Sequence, residues 1–352
     1  MITAKDLANE LQLSVSTVGR ALANDSRISL ATRQRVTEAA FRAGYVANRA
    51  AQMMRGASSK LVGLMLPDLG NSQYSIGAHA LSKCMEAAGY QLVLSETNDD
   101  PAAELRHLRE LCSAGVAGIV IVPSVKPLPE SVRLLKKTPY VQLIRRSSLL
   151  YDQWFCFDNV QALRMATRHL LELGHSRIAY IGPPRTVTVG QERLEGFLMA
   201  QDNLPIDEEL TIFGPGVSSE FGRQALRRLL DLKHPPTGLV LGSLQITRGI
   251  LDEVVDGGIQ IPQQLSVVGF SDEPGFRWWG PGLTTISVPN AEITTACGLW
   301  LIHQMKQGAS AGAASPYGSV TPGKLVVRGS TGSISVDKIN RRARHGEPES
   351  AR

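Results

Sequence analysis

Residues 3–22 read TAKDLANELQLSVSTVGRAL, and this stretch decides how the rest of the chain is interpreted. Thr3, with Asp6 three positions later, is typical of a capping box that begins a helix. The apolar residues that follow recur at helical spacing: Leu7, Ala8 and Leu11. Ser14 can cap a second helix. The inward face of that second helix is predicted to be Val15, Val18 and Leu22. Two short helices joined by a tight turn predict a helix-turn-helix, which places the start of its second helix in a DNA major groove. The same pattern also occurs in helical bundles that bind no DNA.

The residues after this stretch complete a small helical head. Ser29 precedes LATRQRVTEAAFRAG at 30–44, a third helix that Gly44 closes. Its predicted inward residues are Val36, Ala40 and Ala43, with Tyr45 packed at its end. We therefore predict an all-α DNA-binding head over residues 1–45. Residues 46–60 are short, and a helix of that length is marginal alone in water. We therefore predict a short hinge helix and linker there.

The net positive charge of the chain is concentrated at this end. Residues 1–60 contain nine Lys and Arg against four Asp and Glu, whereas the other 292 residues contain 28 of each sign. A basic module on a neutral body is typical of proteins that bind a polyanion such as DNA. A solvated basic helix face would give the same count.

The composition indicates a globular protein of the cytoplasm. No apolar run approaches the ~20 residues of a membrane helix, and the start of the chain lacks the apolar core of a signal peptide. Four cysteines lie far apart without a C-x-x-C pair: Cys84, Cys112, Cys156 and Cys297. We expect buried thiols in a reducing compartment rather than a disulfide or zinc framework.

From Leu61 onward, apolar strand-like runs alternate with helical segments. The runs are LVGLML (61–66), QLVL (91–94), GIVIV (118–122), YVQLI (140–144), FCF (155–157), RIAYIG (177–182), GLVLG (238–242), LSVVGF (265–270) and TTISV (284–288). Continuous apolar strands separated by helices predict parallel sheets that are covered on both faces. So many units exceed what one open sheet usually holds, which predicts two α/β lobes with ligands bound at the carboxyl ends of the strands. We expect residues 307–323 to form a surface loop and residues 331–352 to be a disordered tail.

Several segments carry a family resemblance: KDLANELQLSVSTVGRAL, ATRQRVTEAAFRAGY, ANRAAQMMR, LVGLMLPDLGN, DNVQALRMATRHLLELGHSRIAYIG, ERLEGF, IPQQLSVVGF and PGLTTISVP. In this order they resemble the LacI/GalR family of bacterial transcriptional regulators over roughly residues 2–330. The resemblance implies a helix-turn-helix head, a hinge helix and a two-lobed core similar to periplasmic binding proteins, with parallel, Rossmann-like sheets. It implies a core at 61–330 that binds a small effector and forms a homodimer. The N-lobe would be about 61–159 and 291–328, and the C-lobe about 160–290.

The resemblance also assigns DNA contacts to particular positions. Ser14, Thr17, Ser29 and Thr32 would contact phosphates, while Val15, Ser16 and Arg20 lie where the family reads base edges. In the hinge, Asn48 and Ala51 match the family, and Met54 stands where the family places an apolar wedge in the minor groove. Thr3 and Tyr45 complete the predicted DNA-binding set. The alternatives are helix capping for the hydroxyls, a surface ion pair for Arg20 and a small apolar helix face for Met54. The family proline before Asn48 is Ala47 here.

The predicted effector site departs from that of sugar-binding relatives at three positions. Where those relatives have aspartate, this chain has Arg145, Leu244 (after Ser243) and Ser271, although Asp272 remains. The loss of three carboxylates and the gain of a guanidinium favour an anion over a neutral polyol. Family positions add an anchor and two residues that follow the first strand: Arg193, Asn71 and Tyr74. The predicted effector is acidic, such as a sugar acid or a sugar phosphate; a pocket with no tight ligand is the alternative.

Other functional classes find less support in the sequence. We find no P-loop, no dinucleotide-binding glycine motif after a strand, no H-E-x-x-H and no G-x-S-x-G, and no two histidines stand at metal-ligand spacing. No catalytic residue, metal or cofactor is therefore expected. A small-molecule-binding protein of periplasmic type without a DNA role would share the two lobes. The predicted function is a cytoplasmic transcriptional repressor that binds a pseudo-palindromic operator in double-stranded DNA.

Overall fold

The computed structural model describes residues 2–22, 24–45, 59–150, 153–202, 207–307 and 316–334. The chain separates into two compact units, residues 1–59 and residues 60–352. The helices are α1 Ala4–Leu11, α2 Val15–Leu22, α3 Leu30–Arg42, α4 Ser72–Ala87, α5 Pro101–Ser113, α6 Pro129–Leu135, α7 Asn159–Glu172, α8 Thr188–Ala200, α9 Ser219–Leu230, α10 Leu244–Asp256 and α11 Asn290–Gln307. The strands are β1 Leu61–Leu66, β2 Gln91–Glu96, β3 Gly118–Ile121, β4 Tyr140–Ile144, β5 Gln153–Phe157, β6 Ile178–Gly182, β7 Thr211–Phe213, β8 Gly238–Leu241, β9 Ser266–Phe270, β10 Thr284–Ser287, β11 Tyr317–Thr321 and β12 Lys324–Val326.

Within those ranges, no helix combines the length and the apolar character that crossing a bilayer requires.

The caps of the head helices form as the sequence predicts. The Thr3 hydroxyl accepts a hydrogen bond from the Asp6 amide, and the Asp6 carboxylate accepts one from the Thr3 amide, which completes the capping box of α1. Gln12 ends α1 in the left-handed region at a φ of 54°. Gly44, at a φ of 63°, does the same after α3, where a side chain would be strained. These ends set the short turns of the helix-turn-helix.

A compact apolar cluster holds α1, α2 and α3 together. Its buried members are Leu7, Ala8, Leu11, Val18, Ala21, Val36, Ala39 and Ala40. The predicted inward position of Val15 is wrong, because its side chain is 40% exposed while Ala21 takes the buried place. Val18 and Ala21 lie on the same face of α2. Because that face is buried, Val15 is left on the side of the helix that faces solvent. Val15 is therefore free to face a ligand of the head.

The first lobe of the core is built on a six-stranded sheet in the order β11-β5-β4-β3-β1-β2. All neighbouring strands in it are parallel. The predicted surface loop at 307–323 is wrong for Tyr317–Thr321, which pairs with β5 as the edge strand β11. Exposed and half-buried residues alternate there, so this strand lacks the apolar run that marks a central one. Residues 308–315 lie outside the described residues.

The second lobe is built on a sheet in the order β12-β10-β9-β8-β6-β7. Its strands are parallel except for the antiparallel pair of β10 with β12. The pairing of Lys324–Val326 with β10 places this segment in the second lobe, which corrects the predicted N-lobe boundary at residue 328. The predicted tail also begins too early, because Ile334 N donates to Leu173 O at 3.1 Å and Gly332 O accepts from His175 Nε2 at 3.1 Å. Residues 335–352 lie outside the described residues.

A continuous apolar cluster links the two lobes. It includes strand residues of both sheets, and Phe157 of β5 meets Phe270 of β9 edge to face, with ring centroids 6.1 Å apart. The four cysteines are free thiols, of which Cys156 and Cys297 are buried and Cys84 and Cys112 are half-buried. The predicted burial of all four thiols holds for Cys156 and Cys297 only.

Close packing of α9 on α10 gives a stability prediction. The position of a Cβ on Gly249 falls on the backbone carbonyl of Ser219, and one on Gly222 lies 2.6 Å from Ile246 O. Gly249→Ala is expected to destabilise the core by about 1–3 kcal/mol, because the helices must separate to admit the methyl group. Urea denaturation should show the lower midpoint. Gly275→Ala, at a position with nothing within 4 Å, is the matched control. Equal midpoints for both variants would contradict the packing argument.

Candidate DNA interface and effector cleft

The first turn of α2 carries a cluster of exposed hydroxyls. Ser14 Oγ accepts a hydrogen bond from Thr17 N at 3.1 Å and lies 2.8 Å from Thr17 Oγ1 and 3.0 Å from Ser16 Oγ. Ser29 repeats the arrangement at the start of α3, where its Oγ accepts from Thr32 N at 3.2 Å. Capping and phosphate contact are compatible, because helix N-termini present amides and a positive dipole end to an anion.

The outer face of α2 presents the three residues predicted to read bases. Val15 and Ser16 are exposed, and Arg20 Nη2 donates to Ser16 Oγ at 3.4 Å. In the described part of the head the ion pair joins Arg27 to Asp25, and Arg20 has no carboxylate within 4 Å. An apolar group, a hydroxyl and a fork of N–H donors on one face suit the edges of base pairs.

The other predicted DNA contacts fall in different places. Thr3 is exposed at the start of α1 and is occupied as its cap. Tyr45 packs against the head cluster at the end of α3, as predicted. Asn48, Ala51 and Met54 lie outside the described residues, as does the predicted hinge helix.

Two arginines that the sequence did not single out shape the head. Arg35 of α3 donates from Nη2 to the carbonyl of Leu11 at 3.0 Å and so holds the turn between α1 and α2. Arg27 pairs with Asp25 at 2.7 Å, and hydrogen bonds from Arg27 lower the pKa of Asp25 to about 2. Isolated surface arginines follow no periodic pattern, so only the folded head reveals these partners.

The predicted effector residues lie near the carboxyl ends of the strands, where a doubly wound sheet binds ligands. Asn71 caps α4 and accepts from Gln73 N at 3.1 Å, while Ser243 caps α10 and accepts from Ile246 N at 3.2 Å. Ser271 follows β9 in the left-handed region at a φ of 71°. Leu244 is buried, so the position of the lost aspartate faces the core rather than a ligand.

Arg193 is the anchor of this cleft. Its guanidinium donates from Nε to Asn159 Oδ1 at 2.8 Å and from Nη1 to Gly242 O at 2.6 Å, and it lies 3.9 Å from the centroid of the Phe270 ring. Burial lowers the pKa of Arg193 to about 10, and the nearby Tyr180, Tyr74 and Glu192 oppose that change. In the described residues this cation meets neutral acceptors and an aromatic face but no carboxylate within 4 Å.

Arg145 differs from the sequence-based expectation of a free cation. Its Nε donates to Pro123 O at 2.5 Å, and its two terminal nitrogens pair with the Asp99 carboxylate. Burial lowers the pKa of Arg145, while the nearby Tyr74 raises it. Tyr74 therefore influences the pKa of both Arg145 and Arg193, and the shared effector site of these residues stays a prediction. Asp99 was not predicted, because it lies 46 positions from its partner.

Asp272 is also already engaged. Its carboxylate accepts from Arg328 Nη1 at 2.7 Å, from Arg328 Nη2 at 3.0 Å and from the Thr285 hydroxyl at 2.9 Å. These contacts join β9, β10 and the end of β12 inside the second lobe. Its oxygens bind Arg328 and Thr285 in this structure, and its predicted role in effector binding stays a prediction.

Polar contacts join the two lobes around the cleft. Ser72 Oγ of α4 donates to Glu273 Oε1 at 2.6 Å, and Glu273 is held in turn by Arg248 at 2.7 Å. Elsewhere, Thr188 Oγ1 donates to Arg146 O at 3.2 Å, and Arg146 pairs with Glu192 at 3.4 Å. Hydroxyls and carboxylates far apart in the sequence give no signal of such contacts. The cleft is thus bounded by hydrogen bonds that lobe movement would break.

Comparison with known proteins agrees with this architecture. Residues 3–48 match the family described as bacterial regulatory proteins, lacI family, and residues 167–331 match a periplasmic binding protein-like domain. The chain is 28% identical to the HTH-type transcriptional repressor CytR of Escherichia coli (strain K12), covering 94% of this chain and 97% of that protein. It is 29% identical to the ribose operon repressor of Halalkalibacterium halodurans, with the same coverage of each. The crystal structure of the lac repressor dimer bound to operator and the anti-inducer ONPF aligns with a TM-score of 0.81 at 24% identity, over 94% of this chain and 99% of that chain.

The helix-turn-helix head and the two-lobed, periplasmic binding protein-like core together define a DNA-binding regulator rather than an enzyme. Over most of its length the chain is similar to HTH-type transcriptional repressors, and its head matches the lacI family of DNA-binding regulators. The family match of residues 3–48 sets aside a binding protein without a DNA role.

Proposed function

We propose that this chain is a cytoplasmic, homodimeric repressor whose affinity for a pseudo-palindromic operator is switched by an anionic small molecule bound between its lobes. A dimer with two-fold symmetry carries two equivalent heads, which calls for two matching half-sites in the DNA. The lac repressor, whose solved structure is similar to this chain, binds operator as a dimer. This similarity supports the same assembly here.

The exposed face of α2 is the observation that carries the DNA-binding part of the proposal. Hydroxyls at the starts of α2 and α3 suit phosphates, and Arg20 stands free beside Ser16 for a base edge. Phosphate contacts release counterions, so operator affinity should fall steeply as the salt concentration rises.

Arg20→Ala is expected to relax the operator preference at one base pair of each half-site by about 1–3 kcal/mol. The reason is the loss of a bidentate contact to a guanine, while phosphate contacts persist. Binding of single-base operator variants at several salt concentrations measures this. Arg42→Ala, which removes the same charge from the last turn of α3, is the matched control. An unchanged base preference in Arg20→Ala, or an affinity independent of salt, would contradict the proposed reading face.

The buried Arg193 supports an anionic effector. A guanidinium held against Phe270 and two neutral acceptors carries a positive charge with no carboxylate within 4 Å in the described residues. A carboxylate or phosphate can satisfy its remaining N–H groups through charge-assisted hydrogen bonds. The absence of aspartate at positions 145 and 271 removes acceptors that suit sugar hydroxyls.

Calorimetric titration tests the effector class directly. D-Gluconate and glucose 6-phosphate should bind more tightly than glucose, their neutral counterpart, because only the acids can pair with the guanidinium. A preference for glucose would contradict an anionic effector and would leave the DNA-binding part of the proposal intact.

The contacts between the lobes provide a route from effector to operator. An effector that favours one arrangement of Ser72, Glu273 and Arg248 over another shifts the equilibrium between lobe arrangements. By linkage, effector and operator change each other's binding affinity by the same factor. The corresponding coupling free energy is typically about 1–3 kcal/mol. Measuring both affinities, each with and without the other ligand, should give one common factor.

A further inference from the structure

The ion pair of Asp99 with Arg145 lies across the ligand-binding edge of the first sheet. Arg145 directly follows β4, and Asp99 belongs to the loop that follows β2. The strand order is β4-β3-β1-β2, so the two residues approach each other from either side of the ends of β3 and β1. The Arg145 side chain reaches the segment that follows β3, where its Nε donates to Pro123 O at 2.5 Å. Carboxyl strand ends are where ligands of such sheets bind.

The two partners differ in how firmly they are held. The Arg145 side chain is 9% exposed, whereas the Asp99 side chain is 41% exposed and reaches the pair from the surface. Pro123 and the neighbouring peptide fix Arg145 from below, since Ser124 N donates to the buried Glu104 at 2.7 Å. Arg145 is therefore buried and held by the backbone, whereas Asp99 is open to solvent.

The backbone of the Asp99 loop is strained. Asn98 and Asp99 both adopt the left-handed region, at φ values of 52° and 58°. Asparagine and aspartate enter this region more readily than other residues with side chains, but two in succession are costly. The loop is tied to β1 through Asn98 N, which donates to Pro67 O at 2.9 Å. Release of the Asp99 carboxylate would allow this strained conformation to relax.

We propose that Asp99 acts as a built-in substitute for the acidic group of the effector, and that the effector displaces it from Arg145. This inference rests on the proposed anionic effector and adds the regulation of that same site. A carboxylate or phosphate can replace Asp99 because it offers the guanidinium the same paired oxygens. A neutral ligand offers no charge in exchange, so the ion pair excludes it. Tyr74 raises the pKa of both Arg145 and Arg193, the two cations that the acid would engage.

Removal of the Asp99 carboxylate tests the displacement. Asp99→Asn keeps a residue that tolerates the left-handed region, and Asp99→Gly relieves the strain as well. Both variants of the full-length protein should bind gluconate and glucose 6-phosphate about threefold to tenfold more tightly than the wild type, since no internal anion competes. Glucose binding should not rise. Glu130→Gln, which removes a carboxylate paired with Arg109 on the outer surface at 2.8 Å, is the control for net charge and should leave affinity unchanged.

A second measurement does not depend on the effector. Labelling with phenylglyoxal, followed by mass spectrometry of the peptide containing Arg145, should proceed faster in Asp99→Asn than in the wild type or Glu130→Gln. Inorganic phosphate should slow the labelling in Asp99→Asn. Unchanged labelling, or unchanged or weaker binding of the acids in both Asp99 variants, would overturn the displacement. A wild type that prefers glucose, with faster labelling in Asp99→Asn, would instead show that the ion pair exists and that the proposed effector class is wrong.

Discussion

Leu7→Ala is expected to abolish specific operator binding while leaving residues 60–352 as stable as in the wild type. Leu7 is 0% exposed at the centre of the head cluster. Its truncation should cost about 2–5 kcal/mol. A helical head this small has little stability in reserve, because few residues bury little apolar surface. The loss therefore unfolds the head. Operator affinity falls at least about tenfold for each 1.4 kcal/mol by which the cost of the truncation exceeds the stability of the wild-type head.

Fluorescence anisotropy with an operator selected from random duplexes measures the binding, and thermal unfolding followed by circular dichroism measures the stability of the core. The matched control is Leu30→Ala on the same head, because that side chain is 63% exposed and its truncation leaves no cavity. Operator binding by Leu7→Ala at wild-type affinity would show that the head tolerates the cavity and that the packing argument is wrong.

Arg193→Met is expected to remove the response to the effector while operator binding without effector persists. The substitution deletes the donors to Asn159 Oδ1 and Gly242 O and the charge over the Phe270 ring. Loss of a buried, hydrogen-bonded charge partner typically costs about 2–5 kcal/mol in binding, roughly 30-fold or more. Methionine is unbranched and keeps the apolar contact with Phe270. Calorimetry with the acids and anisotropy with operator DNA separate the two effects.

Arg227→Met is the control for the loss of an arginine outside the cleft. Arg227 is 55% exposed on α9 and pairs with Glu253 at 2.7 Å, so its replacement should leave effector binding unchanged. Equal effector affinity in Arg193→Met and Arg227→Met would remove Arg193 from the effector site and with it the main support for an anionic ligand.

Local patterns predicted the head well. The capping box at Thr3, the caps at Ser14 and Ser29 and the glycine end of α3 all depend on residues within four positions of each other. Such short-range rules need no knowledge of the fold. Val15 was misplaced because a short helix has two plausible apolar faces, and only packing against α1 and α3 selects Val18 with Ala21.

In the core, the sequence pattern predicted the central strands but missed several edge strands. Central strands such as Leu61–Leu66 and Tyr140–Ile144 agree with the predicted runs, because burial on both faces requires continuous apolar residues. The edge strands β7 and β12 have three residues each, and the five residues of β11 are mostly polar or exposed, so no apolar run marks these strands. Their place depends on pairing with strands far away in the sequence, as β11 with β5 shows.

Local periodicity and composition are enough to predict a basic three-helix head, two α/β lobes and the types of residue in the cleft. Which charges remain without a partner depends on the folded arrangement. Arg145 and Asp272 carry opposite charges that the sequence offers equally to a ligand, yet Asp99 and Arg328 occupy them, whereas Arg193 meets no carboxylate in the described residues. The physical reason is that ion pairing depends on distance in space, and partners 46 and 56 positions apart meet only once the strands are ordered in their sheets.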